Sequence, residues 1–375
     1  MDLSIILTYR CDSKCSMCYI WKHPTLPNEE VTLRTLEKLP NNFDNLNITG
    51  GEPTLRTDLP DIVDLVYPKG KITEISTNGL HTDKILPIIK KYPNVKVRYS
   101  LEAIGEKSNL IRGEENGFEK KVQGLKILKD NGGTDLGFAT VIQDDNLDEL
   151  MNIYQLCRDM GVEMATSTLH NAFQFHKGDN YFYERKKVGK EVEKLIEALL
   201  KTNSVKNWFR AYLNLGLIEK ILGHDRLITC TAATDFIFVD PWSDVYACNV
   251  RPDLLMGNLE KQSWDEIVNG KKAVEIRNKV AQCTQNCWMV TTARTAMRNP
   301  VLTFLPKAGP LRWVILNKLK VTLGKSICFE DYIDYQKVEP SNGEAKREFY
   351  LGVTTKRTPQ SKDEKHYDMG DFINK

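Results

Sequence analysis

The chain has 375 residues, of which 41% are hydrophobic and 27% charged, with a net charge of +2. That length can bury one large core or two ordinary ones, and the near-neutral balance excludes a general electrostatic attraction to nucleic acid. The N-terminus has neither a basic stretch nor a small-residue cleavage site, and no run of about 18 apolar residues occurs, so no secretion signal or spanning helix is expected and the cytoplasm is the expected compartment.

Strand-like apolar runs lie at 3–8, 46–49, 72–76, 95–100, 136–142 and 162–168, alternating with helical patterns at about 30–39, 58–67, 82–91, 117–131, 147–160 and 184–202. Asn146 is placed to cap the helix at 147–160 and Gly161 to close it. Six strand–helix pairs predict an α/β fold with a parallel sheet and helices outside. Six units are too few for a closed eight-unit barrel and suit a partial (β/α)6 TIM-like barrel over 1–205, with its chemistry at the C-terminal ends of the strands. A second region at 206–299 holds a hairpin-like stretch at 236–247 and a helical stretch at about 263–280. In the segment 300–338, Lys307, Arg312, Lys318, Lys320 and Lys325 occur with no Asp or Glu between 301 and 329. Pro306 and Pro310 divide it, so its helix should start near Leu311. Such a basic amphipathic helix either lies on an anionic membrane or, as preferred here, packs Trp313, Ile315 and Leu319 inward while its lysines reach water. The tail at 339–375 is polar and charge-mixed, and is expected to be mobile.

Nine cysteines, at 11, 15, 18, 157, 230, 248, 283, 287 and 328, carry most of the functional signal. Without a secretion signal, metal binding is favoured over disulfides. Cys11-x3-Cys15-x2-Cys18 directly follows the first strand. Three thiolates on one short loop can converge on three irons of a 4Fe-4S cluster and leave the fourth open to a small chelating ligand. Structural zinc, which usually wants four protein ligands, and a chance group of buried cysteines are the competing readings.

Cys11 to Cys18 resembles the signature of the radical S-adenosylmethionine superfamily, C-x3-C-x-φ-C, with Met17 at the usually aromatic position. The resemblance spans roughly residues 3–200. It implies that the open iron chelates the amino and carboxylate groups of S-adenosylmethionine. Reduction would then cleave the S–C5′ bond, and the 5′-deoxyadenosyl radical would take a substrate hydrogen. Thr49-Gly50-Gly51-Glu52-Pro53 matches the family's G-G-E-P, whose backbone and Glu52 would meet the amino group. Ser76-Thr77-Asn78-Gly79 matches its S-T-N-G, and Ser100-Leu101-Glu102 stands where Ser-Leu-Asp is common, implying a ribose contact. Ile111-Arg112-Gly113 matches a segment whose Arg pairs with the methionine carboxylate, a partnership suited to guanidinium. The expected cofactor-binding residues are therefore Met17, Gly50, Gly51, Glu52, Pro53, Ser76, Asn78, Ser100, Glu102 and Arg112, with the stretch 141–146 near adenine. An external electron donor of flavodoxin or ferredoxin type is implied.

Cys230-x17-Cys248 and Cys283-x3-Cys287 supply four further thiolates for a second centre, either iron–sulfur or zinc. The first group favours iron–sulfur. The layout resembles the twitch domain, the shorter relative of the SPASM domain, through Val245-Tyr246-Ala247-Cys248, Met256-Gly257-Asn258-Leu259 and Cys287-Trp288. It implies one auxiliary 4Fe-4S cluster besides the one that binds S-adenosylmethionine. Ser243 replaces the usual hairpin glycine, and C-x3-C replaces the common C-x2-C; Cys230, Cys248, Cys283 and Cys287 are the expected ligands, with Cys328 a disfavoured alternative to Cys283. Cys157 reads as a core residue. His170 and His176 follow the sixth strand, where each either touches substrate or is a surface imidazole.

Family members with an auxiliary cluster modify peptides or oxidise small molecules. The barrel begins at residue 3 with no leader-binding segment ahead of it, and Asn249 stands where sulfatase-maturating relatives have a basic Asp. Both point to oxidation of a small polar substrate, a sugar or cyclitol, with the auxiliary cluster as electron acceptor. Peptide or protein side-chain modification is the alternative. A non-catalytic iron–sulfur or zinc interaction module is the alternative from another class.

Overall fold

The computed structural model describes residues 1–304 and 309–338. The tail expected at 339–375, together with Pro306 and Lys307, lies outside the described residues. In chain order the first half comprises β1 (Asp2–Ile6), α1 (Leu33–Glu37), β2 (Asn45–Thr49), α2 (Leu59–Val66), β3 (Thr73–Thr77), α3 (Thr82–Lys91), β4 (Lys96–Ser100), α4 (Glu106–Arg112), α5 (Gly117–Asp130), β5 (Leu136–Ile142), α6 (Leu150–Met160), β6 (Glu163–Thr168) and α7 (Arg185–Lys201). Then come α8 (Val205–Leu222), β7 (Phe236–Val239), β8 (Asp244–Tyr246), β9 (Leu255–Asn258), α9 (Trp264–Asn269), α10 (Lys271–Ala281), α11 (Val290–Arg298), α12 (Pro300–Thr303) and α13 (Pro310–Thr322).

The strands stand side by side in the order β6-β5-β4-β3-β2-β1-β7-β8-β9. β1 to β6 pair in parallel, and the alternation of strand and helix makes this the expected partial barrel. β7 runs parallel to β1, with Asp2 opposite Phe236 and Ile5 opposite Val239, while β8 and β9 are antiparallel. The second cysteine region thus shares its sheet with the barrel. All five residues of β1 are buried, as a central strand covered on both faces requires.

This topology fixes where the cysteines go. Cys11, Cys15 and Cys18 follow the C-terminal end of β1. Cys230 precedes β7 and Cys248 follows the antiparallel β8, so both lie beyond the N-terminal ends of β1 and β7. The two groups therefore lie beyond opposite ends of the interior strands β1 and β7.

Several expectations need correction. Asn146 does not cap α6, whose N-cap is Glu149; it sits in the preceding 3-10 segment, Asp144–Glu149. Its amide holds the carbonyls of Glu102 (2.8 Å) and Val141 (2.9 Å), joining the ends of β4 and β5. Gly161 closes α6 in the left-handed conformation as expected. The helix expected at 263–280 is two, broken at Gly270. α13 starts as expected and packs on α7 and α8 through Trp313 and Val314, but Ile315 and Leu319 are 56% and 54% exposed instead of packed. Lys318 Nζ caps the end of α7 through the carbonyls of Leu200 (2.9 Å) and Thr202 (3.0 Å). Among the described residues no helix is long and apolar enough to cross a membrane.

Candidate metal centres

The first cysteine loop is fixed at its root and along its side. Glu30 accepts from Thr8 Oγ1 (2.5 Å), Thr25 Oγ1 (2.8 Å) and Arg10 Nε (2.9 Å), and Arg56 donates to the Leu7 (3.2 Å) and Val31 (3.1 Å) carbonyls. Further along, Lys14 N donates to Arg112 O (2.9 Å), Ser16 N to Ile111 O (3.0 Å) and Asn180 Nδ2 to Met17 O (3.0 Å). These bonds bring Cys15 within electrostatic reach of both Cys11 and Cys18. Burial raises the Cys11 and Cys15 thiols and pushes Cys18 up to about 12. Burial pushes Cys157 to about 12 as well, but that side chain sits in the core as expected, so clustering rather than a raised thiol marks the ligands. A bound cationic centre is what would draw thiolates from such a group.

The loop after β2 lies against this one. A Cβ on Gly51 would stand 2.3 Å from Arg10 O, and one on Gly50 2.9 Å from Thr8 O, so glycine is required for the approach. Glu52 points inward and is fully buried. Its carboxylate accepts from Thr54 N (2.9 Å), Thr54 Oγ1 (2.6 Å), Thr77 Oγ1 (2.8 Å) and Asn78 N (2.6 Å), and caps the turn Pro53–Leu55. It thereby ties β2 to β3, while burial raises its pKa. Asn78 Nδ2 reaches back to Asp12 (2.6 Å) and Ser13 (2.9 Å) on the cysteine loop. Ser76 bonds Asn47 (3.0 Å), and Ser100 donates to Thr77 O (3.4 Å).

Arg112 and Glu102 face each other. Arg112 Nη1 donates to both Glu102 oxygens (3.2 and 3.1 Å), and Nε to Glu114 (2.9 Å). Glu114 also accepts from Ser13 Oγ (2.6 Å) and pairs with the fully buried Lys121. Burial opposes the charge on Arg112, but Cys15, Glu102 and Glu114 outweigh it and hold the guanidinium well above its usual value. Burial and the Arg112 charge bring Lys121 down to about 8. Glu114, Lys121 and Ser13 were missed by sequence reasoning; adjacency of Glu114 to Arg112-Gly113 was the available signal.

At the opposite ends of these strands, Cys230, Cys248, Cys283 and Cys287 line one small cavity of about 20 Å³, with Asn249, Arg251 and Gln285 among its other walls. Cys328, the disfavoured alternative to Cys283, is exposed beside Glu330 and is not among those walls. The hairpin that carries Cys248 turns through Ser243, which takes a left-handed φ of 67°. Asn258 Nδ2 pins that turn through Trp242 O (3.0 Å) and Asp244 (2.7 Å), and Leu259 N reaches Ser243 O (2.8 Å), which explains the Met256–Leu259 motif structurally. The oxygens Asn249 Oδ1 and Gln285 Oε1 are buried and unpartnered at this cavity.

Among the described residues no three donors converge closely enough to share one metal ion. Zinc would hold every sulfur about 2.3 Å from a single point. A four-iron cluster gives each thiolate its own iron, so its ligands need not converge on one point.

The loop after β6 bridges the two halves. Phe175 O accepts from Tyr19 N (2.8 Å), and Phe173 packs on Phe238 and Tyr246 of the hairpin. The ring nitrogens of His176 and Nε2 of His170 are buried without partners, so neither is a surface imidazole. His176 stacks on His23 at 4.3 Å and meets the edge of Tyr9, which in turn meets Trp242 at 5.1 Å. Burial lowers both histidines, His176 to about 3, so both are neutral at pH 7.

Residues 5–157 match the Radical SAM superfamily, and residues 230–288 match the iron–sulfur cluster-binding domain called SPASM. The chain is 27% identical over 277 residues to the antilisterial bacteriocin subtilosin biosynthesis protein AlbA of Bacillus subtilis, covering 70% of this chain and 58% of that one. It is 26% identical over 266 residues to the mycofactocin maturase MftC of Mycolicibacterium smegmatis, covering 68% and 66%. A probable GTP 3′,8-cyclase of Saccharolobus islandicus is 28% identical over 232 residues, covering 59% and 73%. The fold is that of anSMEcpe, solved with AdoMet and the Cp18Cys peptide, at a TM-score of 0.56 and 16% identity over 86% of this chain and 97% of that one. With both cysteine groups inside the matched domains, 4Fe-4S clusters and S-adenosylmethionine are this protein's cofactors. The chain belongs to the radical SAM superfamily of enzymes and carries a SPASM-type iron–sulfur domain.

Proposed function

We propose that this protein modifies a peptide by radical chemistry, abstracting hydrogen from a residue held in the open barrel between its two metal centres. The observation that carries the reading is the pairing of two thiolate groups at opposite strand ends of one sheet, in a fold that in anSMEcpe holds both AdoMet and a peptide. Relatives named for bacteriocin biosynthesis and for maturation support it.

The sugar or cyclitol substrate expected from the sequence finds no support among these relatives. Its two premises were weak on physical grounds. The start of this chain says nothing about a leader-binding segment elsewhere, and Asn249 after Cys248 shows only that no carboxylate base stands at that one position.

When bound, the cluster and S-adenosylmethionine supply a 5′-deoxyadenosyl radical. Cys11, Cys15 and Cys18 would hold three irons. Arg112 uses Nε and Nη1 on Glu114 and Glu102, which leaves Nη2 for the methionine carboxylate. Glu52 and Asn78 would act by holding the loops after β2 and β3 against the cysteine loop, with Gly50, Gly51, Pro53, Met17, Ser76 and Ser100 shaping the remaining wall. A flavodoxin- or ferredoxin-type donor belongs to the same reading. Any peripheral membrane contact would fall to the exposed side chains of Val301, Phe304, Ile315, Leu316 and Leu319, and salt-sensitive co-sedimentation with anionic vesicles would establish it.

The test is deuterium transfer. Anaerobically reconstituted protein, dithionite and S-adenosylmethionine are incubated separately with a deuterated pool of synthetic peptides, deuterated GTP and deuterated inositol. Deuterium should enter 5′-deoxyadenosine from the peptides. Enrichment only from GTP or inositol would overturn the peptide reading while leaving the superfamily assignment intact.

A further inference from the structure

Arg226 stands four residues before Cys230 and against the auxiliary cysteines. Its Nη1 donates to Cys287 Sγ at 3.4 Å, and its Nε to Ile228 O at 3.2 Å. Its guanidinium lies 5.2 Å from the ring centre of the fully buried Trp288. Its Nη2 is buried with no partner. The thiols of Cys287, Cys230 and Cys283 are the groups that favour its charge. A second arginine, Arg251, lies beside Cys283, but Asp253 pairs with it through two bonds of 3.0 and 2.6 Å and offsets its charge. Arg226 therefore holds its charge against Cys287 from behind the cavity wall, whereas Arg251, which lines the cavity, shares its charge with Asp253. The seat is built in: Trp288 Nε1 donates to Leu213 O of α8 at 2.8 Å, and Gly216 of α8 leaves room for the indole, since a Cβ there would stand 2.0 Å from it.

We propose that Arg226 is a positioning and tuning residue that raises the reduction potential of the auxiliary cluster, favouring its role as electron acceptor. The reaction would be a one-electron transfer: the substrate radical left by hydrogen abstraction gives up one electron and is oxidised, the iron–sulfur core takes it without a proton, and the cluster with its thiolates gains one negative charge. A fixed guanidinium in a water-poor site stabilises the more negative state, and an N–H···S bond withdraws charge from sulfur, so both effects raise the potential. The proposal needs an iron–sulfur cluster at the four cysteines and is independent of whether the substrate is a peptide.

The test is an EPR-monitored potentiometric titration of the full reconstituted protein, with the Cys11-group cluster as internal reference. In Arg226→Gln, the reduced-to-oxidised ratio of the auxiliary cluster at a fixed ambient potential should fall about tenfold, equivalent to about 59 mV for one electron. The reference cluster should not move. Arg226→Lys should keep most of the potential. In the native protein grown with ¹⁵N-guanidinium arginine, pulsed EPR of the reduced auxiliary cluster should show nitrogen coupling that Arg226→Lys abolishes. An unchanged auxiliary potential in Arg226→Gln at full iron content would overturn the proposal. So would the absence of ¹⁵N coupling in the native protein, which decides the matter even if the Gln variant fails to retain iron.

Discussion

Glu114 joins two ion pairs that no motif announces. It receives Arg112 and Lys121, both buried, and the Ser13 hydroxyl of the cysteine loop. Lys121→Met removes the charge that balances Glu114 in a closed site, and breaking such a pair costs about 3–5 kcal/mol. The denaturant midpoint should fall accordingly; a loss under about 1 kcal/mol would show that water reaches the pair. The cysteines make a sharper test of site assignment. Cys283→Ala should lower iron content, because Cys283 lines the auxiliary cavity, whereas Cys328→Ala should leave it unchanged, because Cys328 is exposed elsewhere. Iron loss in Cys328→Ala alone would reverse the two roles. The cysteine group was legible in the sequence because its three members share one short loop. Glu114 and Lys121 were not, since their pairing depends on how α4, α5 and the cysteine loop pack, and a charged residue in a polar stretch reads as solvated.

At the level of elements, the six barrel strands were visible because continuous apolar runs are what a sheet covered on both faces demands. α8 was not assigned, and the reason is physical: from Ala211 to Leu222 it is buried almost all round, so its apolar residues do not form a single stripe. The hairpin shows the converse case, where a departure from the expected residue has a structural cost. Ser243 adopts φ 67° and buries an unpartnered hydroxyl, so Ser243→Gly should stabilise the protein by about 1 kcal/mol in chemical denaturation, the relief of left-handed strain exceeding the entropy glycine adds. A destabilised Gly variant would mean that the hydroxyl has a partner when the cluster is bound. α13 separates into two faces in the same way. Trp313→Ala should cost about 3–5 kcal/mol, while Leu319→Ser should stay within about 0.5 kcal/mol. Equal losses would show that the outward face is also covered.

One continuous sheet runs through both cysteine regions. β1 is the seam: β2 pairs with Asp2–Ile6 on one side and β7 with Asp2–Ile5 on the other, so the parallel barrel and the auxiliary hairpin share one strand. A second connection crosses the seam at Asp2, which is buried at the start of β1. Arg298 of α11 donates to it at 2.5 Å, and Arg294 pairs with it at 3.1 Å. Neither feature could be read from the sequence, since β7 follows β1 by more than two hundred residues and the register that aligns Asp2 with Phe236 is set only by packing. If the seam couples the halves, the amides of β1 and β7 should exchange hydrogen only through global unfolding and be the slowest in the chain. Asp2→Asn keeps the side chain's shape and removes its charge, which should cost about 1.5–3 kcal/mol, the range for a hydrogen bond to a charged group. That loss should appear equally in the exchange of β1, β3 and β7, because it acts on a shared unfolding step. If the variant instead accelerates β7, β8 and β9 while β3 and β4 keep their native protection, the auxiliary region unfolds on its own, and the second cluster sits on a module that can detach from the barrel.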